Sequence, residues 1–116
     1  MRTTTHFMKL NDVPFDAMAR GEKTIELRLF DEKRRAVAVG DEIIFTRASG
    51  DEQIRTKVVA LHRFPSFAEL YDSLPIERLG YSREKAKTAS YTDMEIYYPA
   101  ERQRELGVLG IEIELI

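Results

Sequence analysis

Cysteine is absent from the 116 residues. The chain therefore has no disulfide framework, no thiolate nucleophile and no Cys-based zinc or iron–sulfur site, and two histidines, His6 and His62, are too few for a three-His metal centre. Any metal chemistry would have to rest on carboxylates. Long apolar runs are also missing: none approaches the ~18 residues needed to span a bilayer, and the opening Met1-Arg2-Thr3-Thr4-Thr5-His6 lacks a hydrophobic signal core. The expectation is a soluble cytoplasmic protein with no membrane partner. An excess of one charge is lacking too, because 18 Lys plus Arg stand against 20 Asp plus Glu for a net charge of -2. A generic polycation that coats nucleic acid by bulk charge is thereby excluded, while a local basic patch is not. The phosphate-loop and dinucleotide glycine patterns do not occur, which argues against a nucleotide-cofactor enzyme, and no cofactor is expected. No repeat, low-complexity tract or Pro/Gly/Ser linker divides the sequence, so residues 1–116 read as one domain. At this length, folding buries roughly two thirds of the surface of the unfolded chain, enough to need no staple.

Patterned strands and short helices fill the chain. Ile25, Leu27 and Leu29 alternate with Thr24, Glu26 and Arg28, the period of a half-buried strand with one apolar and one charged face. Leu109, Ile111, Ile113 and Leu115 alternate with Gly110, Glu112 and Glu114 in the same way. His6 to Leu10, Glu42 to Thr46 with Ile43 to Phe45 as a central strand, and Ile54 to Leu61 complete five strands, with a hairpin-like turn at Ala48 to Asp51. Asn11-Asp12-Val13-Pro14 reads as a helix start that brings Phe15, Met18 and Ala19 to one face, with Gly21 as the stop. Ser66-Phe67-Ala68-Glu69 is a capping-box pattern before Leu70, Tyr71 and Leu74. Residues 76–89 are ambiguous, with Gly80-Tyr81 as a turn. Tyr91, Met94, Tyr97 and Tyr98 fit one helical face before Pro99, and a short charged helix runs to Leu106. Strands linked by short helices, without a β-α-β-α rhythm, predict an α+β fold: a small, mixed, mainly antiparallel barrel of about five strands flanked by short helices.

The chemistry concentrates in Gly21-Glu22-Lys23-Thr24-Ile25-Glu26-Leu27-Arg28. Glu26 and Arg28 lie two apart on a strand and so project side by side. Lys23, in the preceding turn, leans over the same surface or joins the apolar set, depending on where the strand begins. An Arg fork and a Lys point charge suit phosphate or a polar base edge, and a carboxylate between them accepts from an amino group or holds the cations in register. The same residues also read as solvated charges pairing across an exposed strand, contacts worth only ~0–1 kcal/mol.

This segment resembles the G-x-K-x-x-E-x-R signature of the ASCH (activating signal cointegrator homology) domain, a family of small barrels related to the PUA RNA-binding fold. Asp31 to Arg34, Val39 to Phe45, Gly80-Tyr81-Ser82, and Asp93-Met94 through Tyr97-Tyr98-Pro99 to Gly107-Val108 with Gly110-Ile111 extend the similarity to small bacterial ASCH proteins over nearly the whole chain. The resemblance implies a cleft lined by Lys23, Glu26 and Arg28 that receives a nucleotide or a short stretch of RNA.

Further candidates cluster around that cleft. Thr24 shares the polar parity, as a functional hydroxyl or a plain β-former. Lys9 reaches the cleft if its strand borders the motif strand, or guards a sheet edge. Lys33, Arg34 and Arg35 form the densest basic cluster, which Arg2, Arg20 and Arg28 extend into a phosphate stripe unless the cluster is only a solvated turn. Tyr81, Tyr97 and Tyr98 are base-stacking candidates, although the Tyr91-to-Tyr98 spacing equally makes core. His6 reads as a solvent-exposed terminal residue and His62 as a strand-end residue, neither with triad spacing.

The resemblance also implies an alternative. Some small ASCH proteins are amidohydrolases that deacetylate acetylcytidine, with the motif lysine catalytic beside a threonine three residues on and a later glutamate. Lys23 matches the lysine, but Glu26 stands where the threonine would be, and Glu84 is a loose match to the glutamate. A carboxylate beside Lys23 favours the ammonium form and opposes a simple copy of that mechanism. A ribonuclease with Lys23 and Arg28 on the phosphate and Glu26 as base is the third reading.

Overall fold

A computed structural model of the protein describes residues 3–116, so Arg2 of the expected basic stripe lies outside the described residues. In chain order the elements are β1 (Thr5–Leu10), α1 (Asp12–Ala19), β2 (Ile25–Leu29), α2 (Glu32–Arg35), β3 (Glu42–Arg47), β4 (Gln53–Phe64), α3 (Phe67–Ser73), three 3-10 turns (Ile76–Arg78, Lys85–Thr88 and Tyr91–Ile96), α4 (Ala100–Leu106) and β5 (Val108–Leu115). The strands form one five-stranded sheet in the order β1-β3-β4-β5-β2, curled into a half-barrel. β1 runs parallel to β3 and the other pairings are antiparallel, so the expected mixed, mainly antiparallel α+β architecture is present. Within β4 the register slips between Val58 and Ala60, a bulge that bends the longest strand.

The two faces of the sheet carry two cores. On one, Met8, Leu10, Ile43, Phe45, Val58, Leu109 and Ile111 pack beneath Phe15 and Met18 of α1. On the other, Ile25, Leu27, Leu29 and Val108 pack against Phe67 and Leu70 of α3. α1 starts at Asn11 without a side-chain cap bond and ends before Gly21, whose φ of +79° suits the turn. The helix buries Ala17, whereas Ala19, expected on the inner face, is exposed. Ser66 caps α3 by accepting from the Glu69 amide at 3.4 Å.

Two expectations are corrected here. β2 is covered on both faces: Glu26 is only 4% exposed, because register sets it beside Ile111 and sets Arg28 beside Leu109, on the first core's side of the sheet. The segment with Tyr91, Met94, Tyr97 and Tyr98 is a 3-10 turn rather than an α-helix, capped by a reciprocal Ser90–Asp93 box. The segment ends at Ile96, and Tyr97 and Tyr98 follow it, so the four side chains do not share one helical face. Met94 and Tyr98 turn in, and Tyr91 and Tyr97 stay exposed. Among the described residues, no helix is long and apolar enough to cross a membrane.

Candidate functional site

The turn after α1 directs Lys23 inward. Amides of Glu22 and Lys23 both donate to the Ala17 carbonyl, at 3.0 and 3.1 Å, which fixes the backbone just before β2. The Lys23 side chain then runs beneath Gly80, where an added Cβ would sit 3.0 Å from Lys23 Cδ. Gly80 also has φ +110°, so both backbone and space require glycine. Lys23 Nζ donates to the carbonyls of Ile25 (3.0 Å) and Leu79 (2.8 Å) and lies 3.2 Å from Glu26 Oε1. Its three N–H donors thus meet three acceptors, so a residue 4% exposed leaves no donor unmatched.

Glu26 continues the chain of charges. Its Oε2 accepts from Arg28 Nε at 2.6 Å, and Arg28 Nη2 donates to the Lys9 carbonyl at 2.6 Å. Because β1 and β2 are opposite edges of the sheet, Arg28 spans the open seam of the half-barrel with a side chain where a backbone ladder would otherwise close it. Burial pushes the Glu26 carboxyl up, but Lys23 and Arg28 outweigh it and hold the group below the usual carboxylate range. Burial disfavours the Arg28 cation as well, and Glu26 more than compensates. The floor is therefore a carboxylate set between a lysine and an arginine, with Glu26 and Arg28 each held in its charged form by its neighbours.

Aromatic residues wall this floor into a cleft of about 310 Å³, lined by Lys23, Glu26 and Arg28 below and by Tyr71, Tyr81, Met94, Tyr97 and Tyr98 at the sides, with Lys9 and Pro14 at the rim. Tyr98 stacks on Phe67 with centroids 5.7 Å apart. Tyr97 lies tilted beside Tyr98 at 6.3 Å and is 58% exposed. The Tyr81 hydroxyl donates to Asp93 Oδ2 at 2.7 Å and meets the Tyr71 hydroxyl at 2.7 Å. Burial, then these two hydrogen bonds, push the Tyr81 phenol up, so it stays neutral. The arrangement can stack a planar ring, present guanidinium donors and a carboxylate to its polar edge, and attract an anion.

Of the residues singled out from the sequence, Lys9, Lys23, Glu26, Arg28 and Tyr81 converge on this cleft. Thr24 and Lys33 do not. Since β2 begins only at Ile25, strict alternation fails just before it. Lys23 swings into the cleft, while Thr24 accepts from Arg78 Nε at 2.7 Å in a separate depression with Glu112 and Leu115. Lys33 Nζ donates to the Phe7 carbonyl at 2.6 Å, on the outer edge of β1. Arg34 pairs with Asp31 at 3.0 Å and Arg20 with Glu22 at 2.9 Å. His6 is not solvent-exposed: its Nε2 lies 2.8 Å from Asp41 Oδ2, in a latch between β1 and the turn before β3. His62 Nε2 lies 3.0 Å from Glu112, which also pairs with Arg78. Glu84 is exposed and not in the cleft lining.

Tyr71, Gly80 and Met94 are cleft residues that sequence reading assigned to packing or to a turn. Only the Gly80-Tyr81 pair carried a local signal, as a turn that glycine alone tolerates. Among the described residues, no group of three or more His, Cys, Asp or Glu converges as a metal site.

No curated protein matches the chain. Among solved structures, the hypothetical protein PH0355 is 32% identical with TM-score 0.81, over 97% of this chain and 100% of its own. Protein PF0455 from Pyrococcus furiosus is 25% identical with TM-score 0.68, over 97% and 98%. An ASCH domain from Lactobacillus crispatus JV V101 shares 11% identity with TM-score 0.62, over 95% of this chain and 79% of its own, a likeness of fold alone. The family model of the ASCH domain matches residues 8–116, a span that contains every charged and aromatic group of the cleft, and the chain thus belongs to the ASCH domain family.

Proposed function

We propose that the protein binds single-stranded RNA and seats one nucleotide in the seam cleft. The carrying observation is the Lys23–Glu26–Arg28 chain of charges at the foot of a cleft walled by tyrosines. The base stacks on Tyr97 and Tyr98, a contact worth ~1–3 kcal/mol per base. Its polar edge meets Glu26 and the free N–H groups of Arg28, and Lys9 at the rim faces the phosphate. Tyr81 offers a neutral hydroxyl beside the base. The relation of ASCH domains to the PUA RNA-binding fold supports the same reading.

The hydrolytic reading is less well supported. A nucleophilic or basic Lys23 needs a neutral amine with a free lone pair, and here Nζ faces two carbonyls and a carboxylate, all acceptors that require its protons. Glu26, wedged between two cations, is likewise a poor base.

The test offers the purified protein a labelled single-stranded RNA over a range of salt concentrations, and acetylcytidine in parallel. RNA binding that weakens with salt, is reduced in Arg28→Ala and Tyr97→Ala, and comes without acetylcytidine turnover is the expected result. Turnover that disappears in Arg28→Ala or Lys23→Met would assign the cleft to hydrolysis. An RNA affinity unchanged in both cleft variants would remove the cleft from the interface.

A further inference from the structure

Most arginines of the described residues are neutralised: Arg20, Arg28, Arg34, Arg47, Arg55, Arg78 and Arg102 each lie within 4.0 Å of a carboxylate. Of the other four, Arg35, Arg63, Arg83 and Arg104, the first two converge. Both guanidiniums sit over the ring of Phe30, Arg63 at 4.1 Å and Arg35 at 4.8 Å from its centroid. Two like charges are thus held within about 9 Å of each other, inside one Debye length at 0.1 M salt. The nearby carboxylates do not relieve them: Asp31 is taken by Arg34, and Glu32 makes no ion pair with Arg35 among the described residues. Phe30 itself is pinned at the end of β2, where its amide donates to the Gly107 carbonyl at 3.0 Å.

Beside the ring lies a depression of about 360 Å³ bounded by Phe30, Arg63, Phe64, Pro65 and Leu106, with no acidic residue in its lining. Strand register relates this spot to the cleft. Arg63 pairs with Leu109, and Leu109 pairs with Arg28, so Arg63 and Arg28 stand two strands apart with the buried Leu109 between them. Two strand spacings are about 10 Å, so an RNA strand that passes around Leu109 needs at least about three phosphate steps to join them.

We propose that Arg35 and Arg63, stacked on Phe30, form a second phosphate site that holds the RNA strand beyond the nucleotide cleft, a proposal that rests on the RNA-binding reading above. The chemistry suits phosphate: a guanidinium on an aromatic ring is weakly hydrated and keeps its N–H fork free for a phosphate oxygen pair. An anion between the two arginines also removes their mutual repulsion. The shared ligand chemistry is a phosphate oxygen group, and the strand's phosphodiester is the committed source.

The experiment compares the full chain with Arg35→Gln/Arg63→Gln and with a charge-matched control, Lys57→Gln/Arg104→Gln, by titration with a short single-stranded oligoribonucleotide and with a nucleoside monophosphate. Thermal melting verifies that each variant folds. The clamp variant is expected to lose roughly tenfold in oligonucleotide affinity at low salt and to lower the salt slope by about 1.4, two contacts at about 0.7 each, with monophosphate binding unchanged. Oligonucleotide binding that is unchanged in the clamp variant but weakened in Arg28→Ala overturns the second site and leaves the cleft reading intact. An equal loss in the control pair reduces the effect to net charge and also overturns it. If inorganic phosphate at matched ionic strength displaces RNA from the wild type as fully as the clamp mutation does, the site belongs to free phosphate. A wild type that binds neither RNA nor monophosphate overturns both readings together.

Discussion

Lys23 Nζ and Glu26 Oε1 lie 3.2 Å apart at the start of β2, and both residues are 4% exposed. A pair this deep behaves differently from a surface ion pair, because removing one partner strands the other's charge and leaves its hydrogen-bond partners unmatched. Lys23→Met strands Glu26 on Arg28 alone and frees the Ile25 and Leu79 carbonyls. The expected loss is about 3 kcal/mol of unfolding free energy in urea titration. A loss below about 1 kcal/mol would make the pair equivalent to an exposed one and would contradict its burial.

Acid should loosen the molecule at a second carboxylate. Burial pushes the Asp41 carboxyl up, but hydrogen bonds from the His6 ring and from the amides of Thr4 and Ala38 outweigh it and hold the group below its ordinary value. A group depressed in the folded state contributes its stability above the unfolded value and loses it as pH falls through the folded one. The contribution of Asp41 is therefore expected to be constant above about pH 5 and to decline below about pH 4. Asp41→Asn should be about 2 kcal/mol less stable at neutral pH, having lost bonds to a charged acceptor. The same variant should show a shallower acid decline. Urea melts across the pH series check both, and an unchanged acid slope in Asp41→Asn would remove Asp41 from the account.

The two adjacent tyrosines should separate stability from binding. Tyr98 is half-buried on Phe67, and Tyr97 is 58% exposed at the cleft mouth. Tyr97→Ala is expected to weaken RNA binding by ~1–3 kcal/mol with melting unchanged. Tyr98→Ala should lower both affinity and melting temperature, because it also opens the second core. Calorimetric melts beside binding titrations make the comparison, and equal stability losses in the two variants would contradict the inward turn of Tyr98 and the outward turn of Tyr97.

What was legible in the sequence follows from the range of the interactions. Alternation of Ile25, Leu27 and Leu29, and of Leu109, Ile111 and Ile113, is a local signal, and both strands appear where the pattern predicts them. The order of the five strands is not local, nor is the burial of Glu26, which depends on β5 register. Lys23 receives a hydrogen bond partner from Leu79, 56 residues on, so no window around the motif reveals that the lysine is enclosed. His6 looked terminal and free because its partner Asp41 lies 35 residues away. Which of Tyr97 and Tyr98 turns inward is not local either: both follow the 3-10 segment, and the stacking of Tyr98 on the distant Phe67 decides it.

Arg28 gives the sharpest test of the seam, because its charge and its shape can be separated. One guanidinium reaches Glu26 through Nε and the Lys9 carbonyl through Nη2, each at 2.6 Å, so a planar fork joins the two free edges of the sheet. An ammonium is a compact point charge on a flexible stem and cannot reproduce the fork. Arg28→Lys should therefore keep the salt dependence of RNA binding close to that of the wild type, since the charge remains, yet lose roughly tenfold or more in affinity because the seam and the carboxylate lose their fixed geometry. Arg28→Ala should lose at least as much affinity, because it removes the donors that meet the base edge together with the bridge to the Lys9 carbonyl. If Arg28→Lys binds RNA as tightly as the wild type, the residue acts only as a diffuse positive charge, and the bridge between Glu26 and Lys9 is not what shapes the cleft.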